Sequence, residues 1–185
     1  MKKTYIALAD GFEEAEFTLP YDILLRAGTA VHTVAVGESR EVRSAHGLCL
    51  MADTLLADTD LSDGRLLFLP GGMPGSENLS KCEALATWIR TYANSGKWLA
   101  AICAAPIVFG RMGLLEGRNA TCYPGFEDEL AGARPLPQTV VRDGQFITAC
   151  GPGAGFAMGH ALAEALTDKE TADAVLRQMM FGVYE

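Results

Sequence analysis

The chain has 185 residues, 49% of them hydrophobic and 21% charged, with a formal net charge of −8. That length predicts one domain over residues 1–185, and a chain this apolar buries enough surface to offset the entropy of ordering, which excludes disorder as its main state. The acidic balance, with no cluster of Lys or Arg, argues against nucleic acid and against an anionic membrane surface as partners.

The chain opens on Met-Lys-Lys, but the apolar stretch behind it, Tyr5 to Ala9, stops at Asp10. That is too short for the roughly 7–15-residue core of a signal peptide, and a cytoplasmic protein is expected. Tyr5–Ala9 reads as a buried strand. Glu14 to Arg26 reads as a helix ended by Ala27-Gly28, with Pro20 predicting a kink or a late start. A second strand follows over Val31–Val36, then a short hairpin excursion over Arg40–Met51. Arg65–Leu69 is a strand ending in Pro70-Gly71-Gly72, and Glu83–Asn94 is a helix stopped by Ser95-Gly96. Lys97–Ile102 is another buried strand, followed by a helix over Pro106–Met112. The longest uncharged apolar run, Trp98–Gly110, falls short of the roughly 18–20 residues that cross a bilayer and contains Pro106. Asp143-Gly144 marks a hairpin within Val140–Thr148, and helices over Gly155–Leu166 and Lys169–Met180 close the chain. Apolar strands alternating with helices predict an α/β sandwich with a mostly parallel, doubly wound sheet. Sites in such sheets lie outside the carboxyl ends of the strands, so chemistry is sought after Ala9, Leu69 and Ile102.

After Ile102 the chain reads Cys103-Ala104-Ala105-Pro106. A strand ending on a cysteine flanked by small residues, with a helix starting at once on proline, has the sequence of a nucleophile elbow carrying sulfur. A helix N-terminus lowers a thiol's pKa, so the Cys103 thiol is expected well below its usual value. The competing reading is a small buried hydrophobe. After Leu69, Gly71 and Gly72 form a turn whose N–H groups could stabilise an oxyanion, or a glycine turn with no ligand. After Ala9 come Glu13, Glu14 and Glu16. Capping through the helix dipole suits Glu13 and Glu14, and one carboxyl turned toward Cys103 would serve in proton transfer. The three histidines, His32, His46 and His160, have no spacing that pairs them with Cys103. The five cysteines are widely spaced with no CxxC, which argues against a disulfide framework and a structural zinc site. No Walker or dinucleotide fingerprint is present, and no metal or cofactor is expected.

Taken together, Glu-Glu-Ala-Glu at 13–16, Leu-Pro-Gly-Gly at 69–72, Ala-Ala-Ile-Cys-Ala-Ala-Pro at 100–106 and Gly-Pro-Gly at 151–153 resemble the ThiJ/PfpI superfamily. The resemblance is closest to the parkinsonism-associated deglycase branch and its bacterial ThiJ-like relatives. It implies a flavodoxin-like three-layer sandwich and a homodimer, to which the apolar helix segment Phe17–Leu25 adds a motive. It also implies roles for individual residues. Cys103 is the reactive cysteine and Glu16 the carboxyl beside its sulfur. Gly71 and Gly72 form the turn whose amides face that sulfur, and Ala104 follows the cysteine. The protease-like branch carries His after the cysteine; Ala104 stands there, which disfavours peptidase activity. Tyr123 stands where the deglycase branch has a histidine, and Cys150 where it has an arginine.

Two functions follow from that resemblance. One is a cofactor-free glyoxalase or deglycase acting on α-oxoaldehydes or early glycation adducts, with Cys103 as nucleophile and Glu16 as proton shuttle. The other is an oxidative-stress sensor or chaperone-type protein in which Cys103 is oxidised to sulfenic and sulfinic acid. A role in thiamine-precursor metabolism rests on the superfamily's name alone. Cys122 and Cys150 are candidates for a resolving thiol, or inert packing cysteines.

Overall fold

The computed structural model describes residues 3–182; Met1, Lys2 and 183–185 of the expected domain lie outside the described residues. The elements in chain order are β1 (Lys3–Leu8), α1 (Glu14–Arg26), β2 (Ala30–Ala35), β3 (Glu41–Arg43), β4 (Cys49–Met51), β5 (Thr54–Leu55), β6 (Gly64–Leu69), α2 (Gly75–Ser80), α3 (Glu83–Asn94), β7 (Trp98–Ile102), α4 (Pro106–Arg111), β8 (Asn119–Ala120), β9 (Arg134–Pro135), β10 (Val140–Asp143), β11 (Phe146–Ala149), α5 (Gly155–Leu166) and α6 (Lys169–Gln178). Seven strands form one sheet in the order β10-β11-β7-β6-β1-β2-β5. Every pairing in it is parallel except β10 with β11.

The side-chain period of a strand explains the three layers. On β1, Tyr5 and Ala7 join one core while Ile6 and Leu8 join the other. On β7, Leu99 and Ala101 alternate with Ala100 and Ile102 in the same way. The first core is closed by Leu79 of α2, Leu85, Ile89 and Tyr92 of α3, and Ile107 and Phe109 of α4. The second is closed by Phe17 and Leu24 of α1 with Met158, Leu162 and Leu166 of α5. This is the flavodoxin-like sandwich with a mainly parallel sheet.

The departures from expectation are local. Pro20 neither delays nor ends α1, which runs unbroken from Glu14. The segment after Pro74 forms the short helix α2, where sequence showed only a glycine-rich turn. The two-residue strands β5, β8 and β9 carry too little pattern to read. Of the apolar stretch Phe17–Leu25, Phe17, Ile23 and Leu24 face inward, and Leu25 is exposed. Part of its hydrophobicity is therefore spent on the chain's own core, while Leu25 stays exposed and Leu19 and Tyr21 half-buried.

Winding reverses between β1 and β6, because β1 is followed by β2 on one side of the sheet centre and β6 by β7 on the other. The crevice outside their carboxyl ends receives the loop after β1, the glycine turn after β6 and the end of β7. The β3–β4 hairpin is pinned beside the same crevice. Gly11 N–H donates to Arg43 O at 2.7 Å, Ala45 N–H to Phe12 O at 2.8 Å, and Arg43 N–H to Asp10 Oδ1 at 2.8 Å.

Candidate active site

The chain leaves β7 at Ile102 and must reverse into α4 within three residues. Cys103 makes that turn with φ of +63°, a left-handed conformation that is costly for a residue bearing a Cβ. Strain of this kind runs to about 1–3 kcal/mol and persists only where the surroundings enforce it. Here Cys103 N–H donates to Ala149 O at 2.9 Å, and Cys103 O accepts from Tyr123 N–H at 2.8 Å. Alanines 104 and 105 are buried on the inside of the bend.

Glu16 reaches the sulfur because of helical phase. Phe17, Pro20, Ile23 and Leu24 mark the inward stripe of α1, and Glu16 lies on its edge, fully buried. Neither carboxylate oxygen completes a well-formed hydrogen bond with a described group. Burial pushes the carboxyl up to about 7, helped by the charge of Glu13, while the Cys103 thiol and the Gly71 N–H pull it down. Burial also pushes the Cys103 thiol up to about 12; the Glu16 charge and hydrogen bond add to the rise, and the Gly72 and Ala104 N–H groups oppose it. The low thiol pKa expected from sequence is therefore reversed. The helix behind the elbow is only six residues long, and depth and a facing carboxylate outweigh it. The two groups titrate as one buried pair, in which the carboxyl gives up its proton first, near neutral pH, while the thiol keeps its own.

Gly71 and Gly72 divide their work. A Cβ on Gly71 would run into Glu16 Oε2, and would stand 2.6 Å from Ile102 O and 2.7 Å from Cys103 Cβ. Only a residue without a side chain lets the turn approach both groups. Gly72 holds φ of +92°, which aims its N–H at the sulfur while the Gly71 N–H faces Glu16. Ala104 supplies the second N–H at the sulfur.

The accessory candidates sit around the elbow. Tyr123 touches it through its backbone; its ring is half-exposed and packs edge-on against Phe126. Cys122 is buried, and burial with the Glu127 charge pushes its thiol up to about 11. Cys122 and Cys150 line one cleft of about 410 Å³ that does not include Cys103. A larger cleft of about 560 Å³, at Asp10, Glu38 and Lys81, also misses it. Chemistry, not cavity size, marks the site. The backbone atoms of Ala149 and Tyr123 that fix the elbow were missed, since only tertiary placement reveals them.

A strained cysteine beside a buried carboxyl, at a parallel sheet's switch point, makes a candidate thiol-centred site on a flavodoxin-like scaffold. The DJ-1/PfpI family profile matches residues 2–165, and the chain belongs to that family. It is 40% identical over 173 residues to Protein DJ-1 homolog B of Arabidopsis thaliana, covering 92% of this chain and 40% of that one. The chain thus spans about two fifths of the length of that curated relative. It is 31% identical over 170 residues to the Glutathione-independent glyoxalase DJR-1.2 of Caenorhabditis elegans, covering 90% of this chain and 89% of that one. Among solved structures, oxidized Toxoplasma gondii DJ-1 superposes with a TM-score of 0.94 at 32% identity, over 98% of this chain and all of that one. No helix among the described residues is long and apolar enough to cross a membrane.

Proposed function

We propose that the protein is a cofactor-free glyoxalase or deglycase acting on α-oxoaldehydes or early glycation adducts. The observation that carries this reading is the pairing of the strained Cys103 with the fully buried Glu16 carboxyl, across a turn that only glycine permits. Cys103 sulfur adds to the aldehyde carbon, and its proton passes to Glu16. The developing oxyanion is met by the N–H groups of Gly72 and Ala104, with that of Gly71 holding Glu16. In the hemithioacetal, Glu16 moves a proton between the two carbon centres of the former α-oxoaldehyde. Water then releases the 2-hydroxy acid and restores the thiol. A carboxyl near 7 suits this exchange, because its acid and base forms are both populated at neutral pH. The glyoxalase name of the worm relative adds support.

The test is methylglyoxal consumption with lactate formation by the purified chain and by Cys103→Ala. Consumption that is absent, or that survives Cys103→Ala, sinks the reading. A second reading rests on the same N–H groups, which would equally hold the oxygens of a sulfinate formed by peroxide. Intact-mass measurement after peroxide treatment, showing two oxygens added at Cys103 in a chain inert toward methylglyoxal, would select it. In either case we propose a homodimer on the strength of the resemblance, and light scattering that returns a single-chain mass would refute it.

A further inference from the structure

A second constellation lies beside the same helix N-terminus. Glu13 and Glu14, at the N-cap and first residue of α1, converge with His46 from the turn between β3 and β4. Their candidate ligand atoms all lie within 4.8 Å of one another. His46 Nδ1 stands 2.8 Å from Glu14 Oε2 and 3.5 Å from Glu13 Oε2. Bonds from zinc to nitrogen or oxygen run about 2.0–2.2 Å, so two donors on one ion stand roughly 3.0–3.5 Å apart. The His46–Glu13 pair already stands at that spacing, and the hydrogen-bonded His46–Glu14 pair would open by a few tenths of an ångström as an ion replaced the proton between them.

The arrangement is held from outside. Glu14 Oε1 accepts from the Ser44 hydroxyl and from His46 N–H, which leaves Oε2 for the imidazole. A ligating carboxylate fixed through its second oxygen is the usual support of a metal site. The hairpin carrying His46 is tied to the loop before α1 by Ala45 N–H to Phe12 O, and Glu13 N–H donates to Gly71 O at 3.0 Å. The carboxylates are shielded, at 18% and 21% exposure, while the imidazole is 73% exposed and leaves an open side for entry and for solvent ligands.

We infer that Glu13, Glu14 and His46 bind a divalent first-row transition ion of the zinc, nickel or copper class, with solvent completing its shell. One imidazole nitrogen and two carboxylate oxygens match that class. Calcium and magnesium prefer all-oxygen shells. The two carboxylates balance the charge of the ion, which takes the place of the proton between Nδ1 and Oε2. No cysteine belongs to the cluster. A bound ion would join the hairpin, the start of α1 and the turn at Gly71 into one unit.

The test is equilibrium titration of the chelator-treated full chain with Zn²⁺, and with Co²⁺ as the optical probe. The variants are His46→Ala, Glu13→Gln and Cys103→Ala. One ion per chain is expected, with affinity weakened at least about tenfold by His46→Ala and by Glu13→Gln, and unchanged by Cys103→Ala. Cobalt bands should lack thiolate charge transfer. Glu13→Gln is the sharper variant. Glu13 makes only the longer of the two contacts to His46, so a cluster that serves merely as a charge clasp would scarcely register its loss. No stoichiometric uptake, uptake indifferent to His46→Ala and Glu13→Gln, or a thiolate band would each overturn the inference.

Discussion

Glu14 and Glu16 stand two residues apart on the first turn of one helix, yet their carboxyls behave oppositely. Burial pushes the Glu14 carboxyl up, but the His46 ring, the Ser44 hydroxyl and the His46 N–H outweigh it and hold the group down at about 2. Glu16 points inward, finds no complete hydrogen bond, and is pushed up to about 7. Two residues of α-helix turn through about 200°, which separates a satisfied surface carboxylate from a buried one that holds its proton up to the neutral range. The difference shows where the fold concentrates its reactivity. A buried polar group without full partners costs stability, and this chain places one against its strained cysteine.

The largest test removes the thiol. Cys103→Ala should reduce α-oxoaldehyde consumption to the buffer rate, while any metal uptake at His46 persists. If catalysis survived, Glu16 would be an unpaired core carboxyl with no chemical purpose. Next comes Glu16→Gln, which keeps the shape and deletes the proton. Loss of a general acid–base group should slow turnover by about 10²–10⁴-fold. Stability should move the other way. The folded pKa of Glu16 is raised from 4.5 to about 7, so its cost is absent below 4.5 and grows until the pH passes 7. Urea denaturation should show Glu16→Gln more stable than the parent by on the order of 3 kcal/mol at pH 8, and level with it at pH 4. A parent curve parallel to the variant's at every pH would remove the idea of a strained buried pair.

How much of this contrast sequence could reveal depends on the residue. The apolar strands at Tyr5–Ala9, Arg65–Leu69 and Lys97–Ile102 announced the sheet, because strands buried on both faces leave unbroken hydrophobic runs. Cys103 was legible for a related reason, since the small residues and Pro106 around it describe a bend. The three glutamates were not separable by chemistry alone. Only the resemblance singled out Glu16, whereas the fold does so through helical phase. His46 lies 32 residues from Glu14, and nothing local predicts that its hairpin folds over α1. The thiol's shift was misjudged because a sequence shows that a helix follows Cys103 but not how deep the sulfur sits.

Gly71→Ala probes the space between the two regions. The added methyl meets Glu16 Oε2, Ile102 O and Cys103 Cβ, and two of those three are backbone or backbone-anchored atoms that cannot swing aside. Overpacking of this kind costs about 1–3 kcal/mol, which thermal unfolding should register, together with a fall in Cys103 alkylation rate as the turn is forced off the sulfur. A variant of parental stability and reactivity would mean that the turn tolerates a wider gap than the close approach implies.

The smallest effect belongs to Glu14, and its sign completes the contrast. In chelator-treated protein, Glu14→Gln keeps a polar group near Ser44 and His46 but removes the negative charge that both donors face. The charge-assisted bonds of a partly exposed carboxylate should be worth about 1 kcal/mol after solvent screening. The folded pKa is depressed from 4.5 to about 2, so the carboxylate's contribution is present above 4.5 and disappears as the pH falls through 2, while its ion-pair part with His46, whose pKa Glu14 raises, fades as the pH climbs past the histidine's own titration. The gap between parent and Glu14→Gln should therefore be open at neutral pH and close in acid. The Glu16→Gln gap has the opposite sign and closes as pH falls below 4.5. Denaturant midpoints of both variants at matched pH values read the two curves directly. Should Glu14→Gln instead stabilise the chain at pH 7, the Ser44–His46 clasp would be a source of cost, and the separation of a satisfied from an unsatisfied carboxyl would fail.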